Sequence, residues 1–313
     1  MIRTALTRTR VGRRPALMGG AIDKAGSALA VLMLAAVAGT WIAEQNTVES
    51  ERAGAPAKAG GPVAGEAAPG GETMVAGYMG APYTYRSDVR LRNPAAKTDF
   101  TLERVGWDGK PFKSPIYYGV RVARWGAANR TGTMVDFTHS KTITRPEEEV
   151  AIKGLVDGAA APANARIGAL FKHLEFSHGH NMLTLNGLLR LGSITPRLST
   201  YVGAGAGVSL PHTEVQMTTG EKRTYAYQYA GPVGQALIGI EVRLPQTSVF
   251  FEYKFSFADY RVPLSRLEGN LLFTDLWRQY QLWVEGNPPP GGELSTRLAS
   301  HQVIGGVGYR FGR

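Results

Sequence analysis

The chain has 313 residues, with 35 Lys and Arg against 25 Asp and Glu for a formal charge of +10, 39 glycines, 18 prolines and no cysteine. That length and a slightly negative mean hydropathy exclude one small domain and a helical membrane bundle, and suit a barrel with tails; the lack of cysteine removes disulfides and is compatible with an oxidising compartment. Half of the positive excess lies in residues 1–24, where Arg3, Arg8, Arg10, Arg13, Arg14 and Lys24 face only Asp23, and no later Lys/Arg block has the density of a nucleic-acid footprint, so an anionic lipid surface is the fitting partner and nucleic acid is not.

Met1 to Arg14 is a basic segment, Ala25 to Ala43 carries no charge, and Ala36-Val37-Ala38 before Gly39 has the form of a cleavage site. Residues 1–43 are therefore expected to be a secretory signal peptide, or, if retained, an N-terminal membrane anchor, since the uncharged run is just long enough to span. Residues 44–74, rich in Ala, Gly and Pro, are expected to be a disordered linker.

Residues 75–313 are expected to form an all-β domain: an eight-stranded antiparallel up-and-down transmembrane β-barrel. Strands are predicted near 75–91, 115–125, 132–143, 179–191, 198–211, 226–244, 248–260 and 296–311. Short connections at 126–131, 192–197 and 245–247 alternate with long ones at 92–114, 144–178, 212–225 and 261–295. Tight turns on one side of a membrane and long loops on the other produce this alternation. The last long loop holds Leu264–Trp283, whose three-to-four apolar spacing predicts an amphipathic helix lying at the membrane surface.

Strand faces follow the period of two. Along 198–210, Thr200, Val202, Ala204, Ala206 and Val208 share the lipid side, whereas Tyr201, Gly203, Gly205 and Gly207 share the lumen. Along 247–257, Val249, Phe251, Tyr253, Phe255 and Phe257 face lipid, and Glu252 and Lys254 face inward. Setting Trp125 opposite Gly132 places Arg121 opposite Asp136 in the lumen, where Arg190, Glu241, Glu252 and Lys254 are expected to complete a plug of mutually satisfied charges. The GAGAG run at 203–207 is a close-packing feature rather than a phosphate loop, and no P-loop, dinucleotide, zinc-protease or nucleophile-elbow motif is present.

Residues that carry chemistry collect at the long-loop end. Pairing Leu191 with Leu198 sets His180 opposite Ser209 and His178 opposite Pro211, so that His178, His180, His212 and Glu214 meet at the outer rim with Glu175 nearby. Imidazole and carboxylate together supply acid/base groups, or ligands for a borderline metal. His178, His180 and His212 are the candidate metal ligands, and Glu175, His178, His212, Glu214, Asp136 and His139 the candidate catalytic residues. His139 is also placed to face lipid headgroups, and His173 and His301 are read as incidental.

Several blocks in order, GWDGKPFKSPIYYGVRVARW (106–125), MVDFTHSKTI (134–143), FKHLEFSHGHNMLTLNGLLRLG (171–192), YVGAGAGVSLPHTEV (201–215) and the stretch 227–257, together resemble the outer-membrane lipid A oxidase family of Gram-negative bacteria. The resemblance covers the barrel and not residues 1–74, which are longer than that family needs. It implies an eight-stranded barrel that oxidises the proximal glucosamine of lipid A to 2-aminogluconate with molecular oxygen, releasing hydrogen peroxide. The D-F-T-H block carries over to Asp136, Phe137, Thr138 and His139, the L-E-F block to Glu175, and the P-H-x-E-V block to His212 and Glu214; His180 stands where an apolar residue is expected.

Dioxygen reacts slowly with singlet organic substrates, so a redox metal, iron or copper, is the expected cofactor, with lipid A or lipopolysaccharide as partner and a monomer in the outer membrane as the state. Two other readings remain open: a non-enzymatic barrel for adhesion or envelope structure, and a lipid A deacylase or acyltransferase. The latter needs a nucleophilic serine beside a histidine at a strand rim, and Ser300-His301 falls on opposite faces of its strand.

Overall fold

The computed structural model describes residues 71–219 and 222–311; the expected leader, and the expected linker up to residue 70, lie outside them. The strands are β1 (Glu72–Thr84), β2 (Ser87–Asn93), β3 (Thr98–Val105), β4 (Tyr118–Trp125), β5 (Thr131–Ile143), β6 (Glu149–Val156), β7 (Ala159–Ala160), β8 (Asn164–Arg166), β9 (Phe171–Thr195), β10 (Leu198–Ser209), β11 (His212–Met217), β12 (Thr224–Tyr227), β13 (Gly231–Arg243), β14 (Thr247–Pro263) and β15 (Glu293–Phe311). Strands β1, β4, β5, β9, β10, β13, β14 and β15 pair antiparallel in that order, and β15 pairs back onto β1 from Thr84↔Ser300 to Thr73↔Phe311. This is the expected eight-stranded transmembrane barrel, its wall closed by the pairing of β15 with β1 so that these eight strands leave no open edge. No helix among the described residues is long and apolar enough to cross a membrane.

The alternation of the sequence is realised as a two-sided wall. Val75, Val122, Ile240, Phe251, Val303 and Val307 point outward and stay exposed, forming an apolar belt. Inward, Tyr78, Trp125, Met134, Tyr201, Leu237 and Phe250 pack with the predicted charges. Arg121 meets Asp136 across β4 and β5 as the register required, and also holds Glu252 through two hydrogen bonds of 2.8 and 3.1 Å. Lys254 Nζ lies 3.0 Å from Asp136, and Arg190 lies 2.8 Å from Glu241. The space left beside Arg121 and Glu241 is about 10 Å³, room for about one water, so the lumen is a packed core. In the GAGAG run, a Cβ on Gly203 would lie 2.7 Å from the lumen side chain of Leu188, as expected, whereas on Gly207 it would lie 1.9 Å from the Leu183 carbonyl oxygen, so there the close neighbour is the backbone of β9.

Four differences from the sequence expectation matter for the site. First, β1 begins at Glu72, inside the stretch assigned to the linker, because Glu72 is held by Arg243 and Arg310 at the turn end of the barrel. Second, the long connections are not irregular: β2, β3 and β6 continue the sheet above β15, and β9 runs for 25 residues to pair with β11. A second apolar core, with Phe100, Leu102, Trp107, Phe176, Val215 and Tyr260, fills the space inside this extension. Third, β9 continues to Thr195 and leaves a two-residue turn, so Leu198 pairs with Thr195 and, after two irregularities, Ser209 meets Met182 rather than His180. Fourth, the loop helix α1 spans Leu272–Glu285 and not Leu264–Trp283: Gly269 and the segment before it lie in extended contact with β12 instead.

Candidate functional site

The site is built where three strands pass the outer rim side by side. His139 on β5 stands in register with Asn181 on β9, and Asn181 in turn bonds the backbone of Leu210, two residues before His212 on β11. Between them β9 carries a bulge, marked by the register shift opposite Ser140 and Thr142 and by Gly179 at φ +148°. The bulge turns His178 outward while His180 stays inward. Outward-facing positions at this level are His139, His178, His212 and Glu214, and Glu175 is directly opposite Glu214.

Five of the sequence candidates, Glu175, His178, His212, Glu214 and His139, thus share the outer surface of the rim. Two do not. Asp136 lies three residues before His139, an odd step that sends its side chain into the lumen, where Arg121, Lys254, Tyr78 and Gln235 occupy it. His180 is on the inner side of β9, its Nδ1 hydrogen-bonded to the Tyr260 hydroxyl, because the Gly179 bulge breaks the i, i+2 alternation that had placed it beside His178. The candidate metal trio His178, His180 and His212 is therefore divided between two faces of the sheet. His139 does not present a bare edge to lipid: its ring stacks on Tyr118 at 4.8 Å between centroids, and its Nδ1 hydrogen-bonds Asn181 Oδ1 at 2.8 Å.

Other members were not legible from the sequence. His173, read as incidental, lies 3.4 Å from Glu175 and 3.6 Å from Glu214. Its signal was the i, i+2 spacing to Glu175, which becomes a shared face only once β9 is extended down to Phe171. Tyr225 and Tyr227 wall His212 edge-on, with centroids at 4.3 and 4.6 Å, and Arg223 bonds Glu214 at 3.2 Å and Glu268 at 3.0 Å. Ser177 Oγ bonds His178 Nδ1 at 3.1 Å and Glu214 Oε2 at 3.4 Å, an adjacent serine–histidine pair that the sequence reading passed over in favour of Ser300-His301.

The electrostatics follow from crowding. Two carboxylates directly opposite on neighbouring strands repel, and here Arg223 supplies compensating charge to Glu214, with His173 Nδ1 3.4 Å from Glu175 and 3.6 Å from Glu214. The donor atoms of His173, Glu175 and Glu214 lie within 4.8 Å of one another, an arrangement able to hold a small cation. Burial lowers the pKa of His212, which favours the neutral imidazole, and burial next to the Glu214 charge raises that of the Tyr225 phenol. His212 Nε2 donates to the Gly269 carbonyl at 3.0 Å, and so its Nδ1 carries the lone pair. That Nδ1 is buried without a hydrogen-bond partner among the described residues, as is Nε2 of His139.

No family model matches this chain, and no curated protein matches it in sequence. Among solved structures it is similar to neisserial surface protein A, at 10% identity over 77% of this chain and 99% of that one, with a TM-score of 0.33. The type IV competence pilus secretin PilQ of V. cholerae matches at 10% identity over 77% of this chain and 59% of that one, with a TM-score of 0.13. Neither superposes closely enough to bear on the site; the barrel assignment follows from the chain's own strand pairing.

Proposed function

We propose that this is an outer-membrane enzyme that oxidises the proximal glucosamine of lipid A to 2-aminogluconate with molecular oxygen, releasing hydrogen peroxide. The observation that carries the reading is where the chemistry sits. The described lumen is filled by buried side chains around a cavity of about 10 Å³, while the histidine–carboxylate cluster lies on the outward-facing side of the strands at the long-loop end, where in this reading it would meet a glycolipid headgroup.

The reaction removes the hydroxyl proton and a hydride equivalent from the hemiacetal carbon; dioxygen takes up two electrons and two protons, and water opens the resulting lactone to the acid. In this reading the Glu175–Glu214 pair receives the hydroxyl proton. His139 Nε2, with its free lone pair, accepts a hydrogen bond from the sugar, and Tyr225 and Tyr227 exclude water from His212. A redox metal such as iron or copper supplies the one-electron chemistry that dioxygen requires. A second reading, a lipid A deacylase, draws support from Ser177, His178 and Glu214; against it, serine and glutamate both approach the same imidazole nitrogen, Nδ1, whereas a relay needs one on each.

Mass spectrometry of lipid A from cells with and without the protein, grown with and without air, tests these readings together. An air-dependent gain of one oxygen supports the oxidase. Loss of an acyl chain in its place shows the deacylase, and unchanged lipid A removes both and leaves the adhesion or envelope-structure barrel. Fractionation of the same cells should place the chain in the outer membrane.

A further inference from the structure

We propose that the turn end of the barrel, opposite the rim cluster, is a docking surface for anionic phospholipid, with Arg130 and Arg197 as the residues that hold the headgroup phosphate. The proposal concerns the other end of the molecule from the function above and does not depend on which reaction occurs at the rim.

Barrel closure gathers charge here that is scattered in the sequence. Where the strands reach the short turns, the described residues include six arginines, Arg124, Arg130, Arg190, Arg197, Arg243 and Arg310, against two carboxylates, Glu72 and Glu241, and no lysine. Both carboxylates are engaged by the inner arginines: Glu72 by Arg243 at 2.6 Å and Arg310 at 3.0 Å, and Glu241 by Arg190 at 2.8 Å.

The outer arginines carry the excess. Arg130 and Arg197 are exposed at two successive turns, β4–β5 and β9–β10, and neither guanidinium has a partner among the described residues. Arg124 follows Val120 and Val122 on the outward face of β4, in the row of Thr73 and Phe311, where it donates to the Thr73 hydroxyl at 3.2 Å and adds charge beside the first turn. The backbone beneath both free side chains is fixed, since the Arg130 carbonyl accepts from the Arg190 N–H at 2.8 Å and the Arg197 carbonyl from the Arg243 N–H at 2.7 Å. Strands lie ~4.8 Å apart, so turns two strands apart stand on the order of 10 Å from each other, and two long side chains can reach one headgroup.

The neighbours show what kind of anion fits. Leu191 and Ile194 beside the β9–β10 turn and Leu244 in the β13–β14 turn are exposed, as is Phe311 at the end of β15. Arginine flanked by exposed apolar side chains suits a lipid, whose phosphate and acyl chains lie together, and not a soluble polyanion. Guanidinium also pairs with two phosphate oxygens at once, which an ammonium does not. In an outer-membrane barrel the short turns lie on the periplasmic side, so the phosphate in question is that of an inner-leaflet phospholipid.

The full chain in detergent is titrated with phosphatidylglycerol and, separately, with phosphatidylcholine of the same acyl chains, and bound lipid is counted by native mass spectrometry. Phosphatidylglycerol is expected to bind about tenfold more tightly or better, and Arg130→Gln combined with Arg197→Gln should bring the two lipids within about twofold of each other. Arg92→Gln, an equally exposed arginine at the long-loop end, should leave the preference unchanged. Inorganic phosphate at the lipid's concentration should not displace it. Equal binding of the two lipids by the unaltered chain overturns the proposal, as does a preference retained in the double variant or lost as fully in Arg92→Gln. Displacement by inorganic phosphate overturns it as well, because the surface would then hold any anion. The comparison of two lipids on the unaltered chain stands even where a variant does not fold.

Discussion

Gly179 decides more about the rim than any charged residue does. Its φ of +148° lies where an L side chain is strained, and a Cβ there would sit 2.4 Å from Asn181 Nδ2. Asn181 bridges the Leu210 carbonyl and His139 Nδ1, so the glycine sets both the bulge that separates His178 from His180 and the amide that fixes the His139 tautomer. Gly179→Ala is expected to cost on the order of 1–3 kcal/mol of local strain. The barrel below should keep its heat-modifiable migration on gels, whereas lipid A modification should fall at least tenfold; unchanged activity would show that the bulge does not set the site.

Among the elements, α1 stands out because it uses its two faces differently. Its inner face closes the open edge beyond β12: Asp275 accepts from the Tyr227 N–H at 3.1 Å, and Gln279 both accepts from and donates to the backbone of Tyr229 at 2.7 and 2.9 Å. Its outer face presents Phe273, Trp277, Tyr280 and Val284 to the surroundings, with Phe273 86% exposed. A stripe of that kind at i, i+4, i+7 and i+11 suits the headgroup–acyl boundary of a bilayer. In a variant with Trp277 as the one remaining tryptophan, reconstituted with lipids brominated high on the acyl chain, strong quenching is expected; no quenching would place the helix in water.

For the whole molecule, stability rests on a lumen that is charged and sealed. Asp136 and Glu252 share Arg121, but Asp136 also has Lys254, Tyr78 and Gln235, whereas among the described residues Glu252 has besides Arg121 the Tyr201 hydroxyl at 2.9 Å. Arg121→Ala therefore strands Glu252 first, at a cost of ~3–5 kcal/mol by the behaviour of broken buried ion pairs. The folded fraction on gels should drop sharply and recover in Arg121→Ala combined with Glu252→Gln, which removes the unpaired charge. Failure of the double variant to recover would mean that the guanidinium acts through its packing on Tyr78 and Phe250, 4.5 and 5.0 Å away, and not through its charge.

By itself the sequence determined the barrel: strand period, the faces of 198–208 and 247–257, the alternation of short and long connections, and the Arg121–Asp136 register all follow from local pattern, because side chains on a closed sheet have one wet or lipid side and one packed side. It also placed Glu175, His178, His212 and Glu214 at one rim. What it did not determine was which of them face the same way. That rested on the bulge around Gly179, on the length of β9, and on pairings between segments far apart in sequence, β2 with β15 and β9 with β11. The bulge turns His178 outward while Leu174 and Phe176 beyond it stay inward with Met182, so only the tertiary structure separated His180 from His178 and brought in Tyr225 and Arg223, whereas the period of two had already put Asp136 in the lumen.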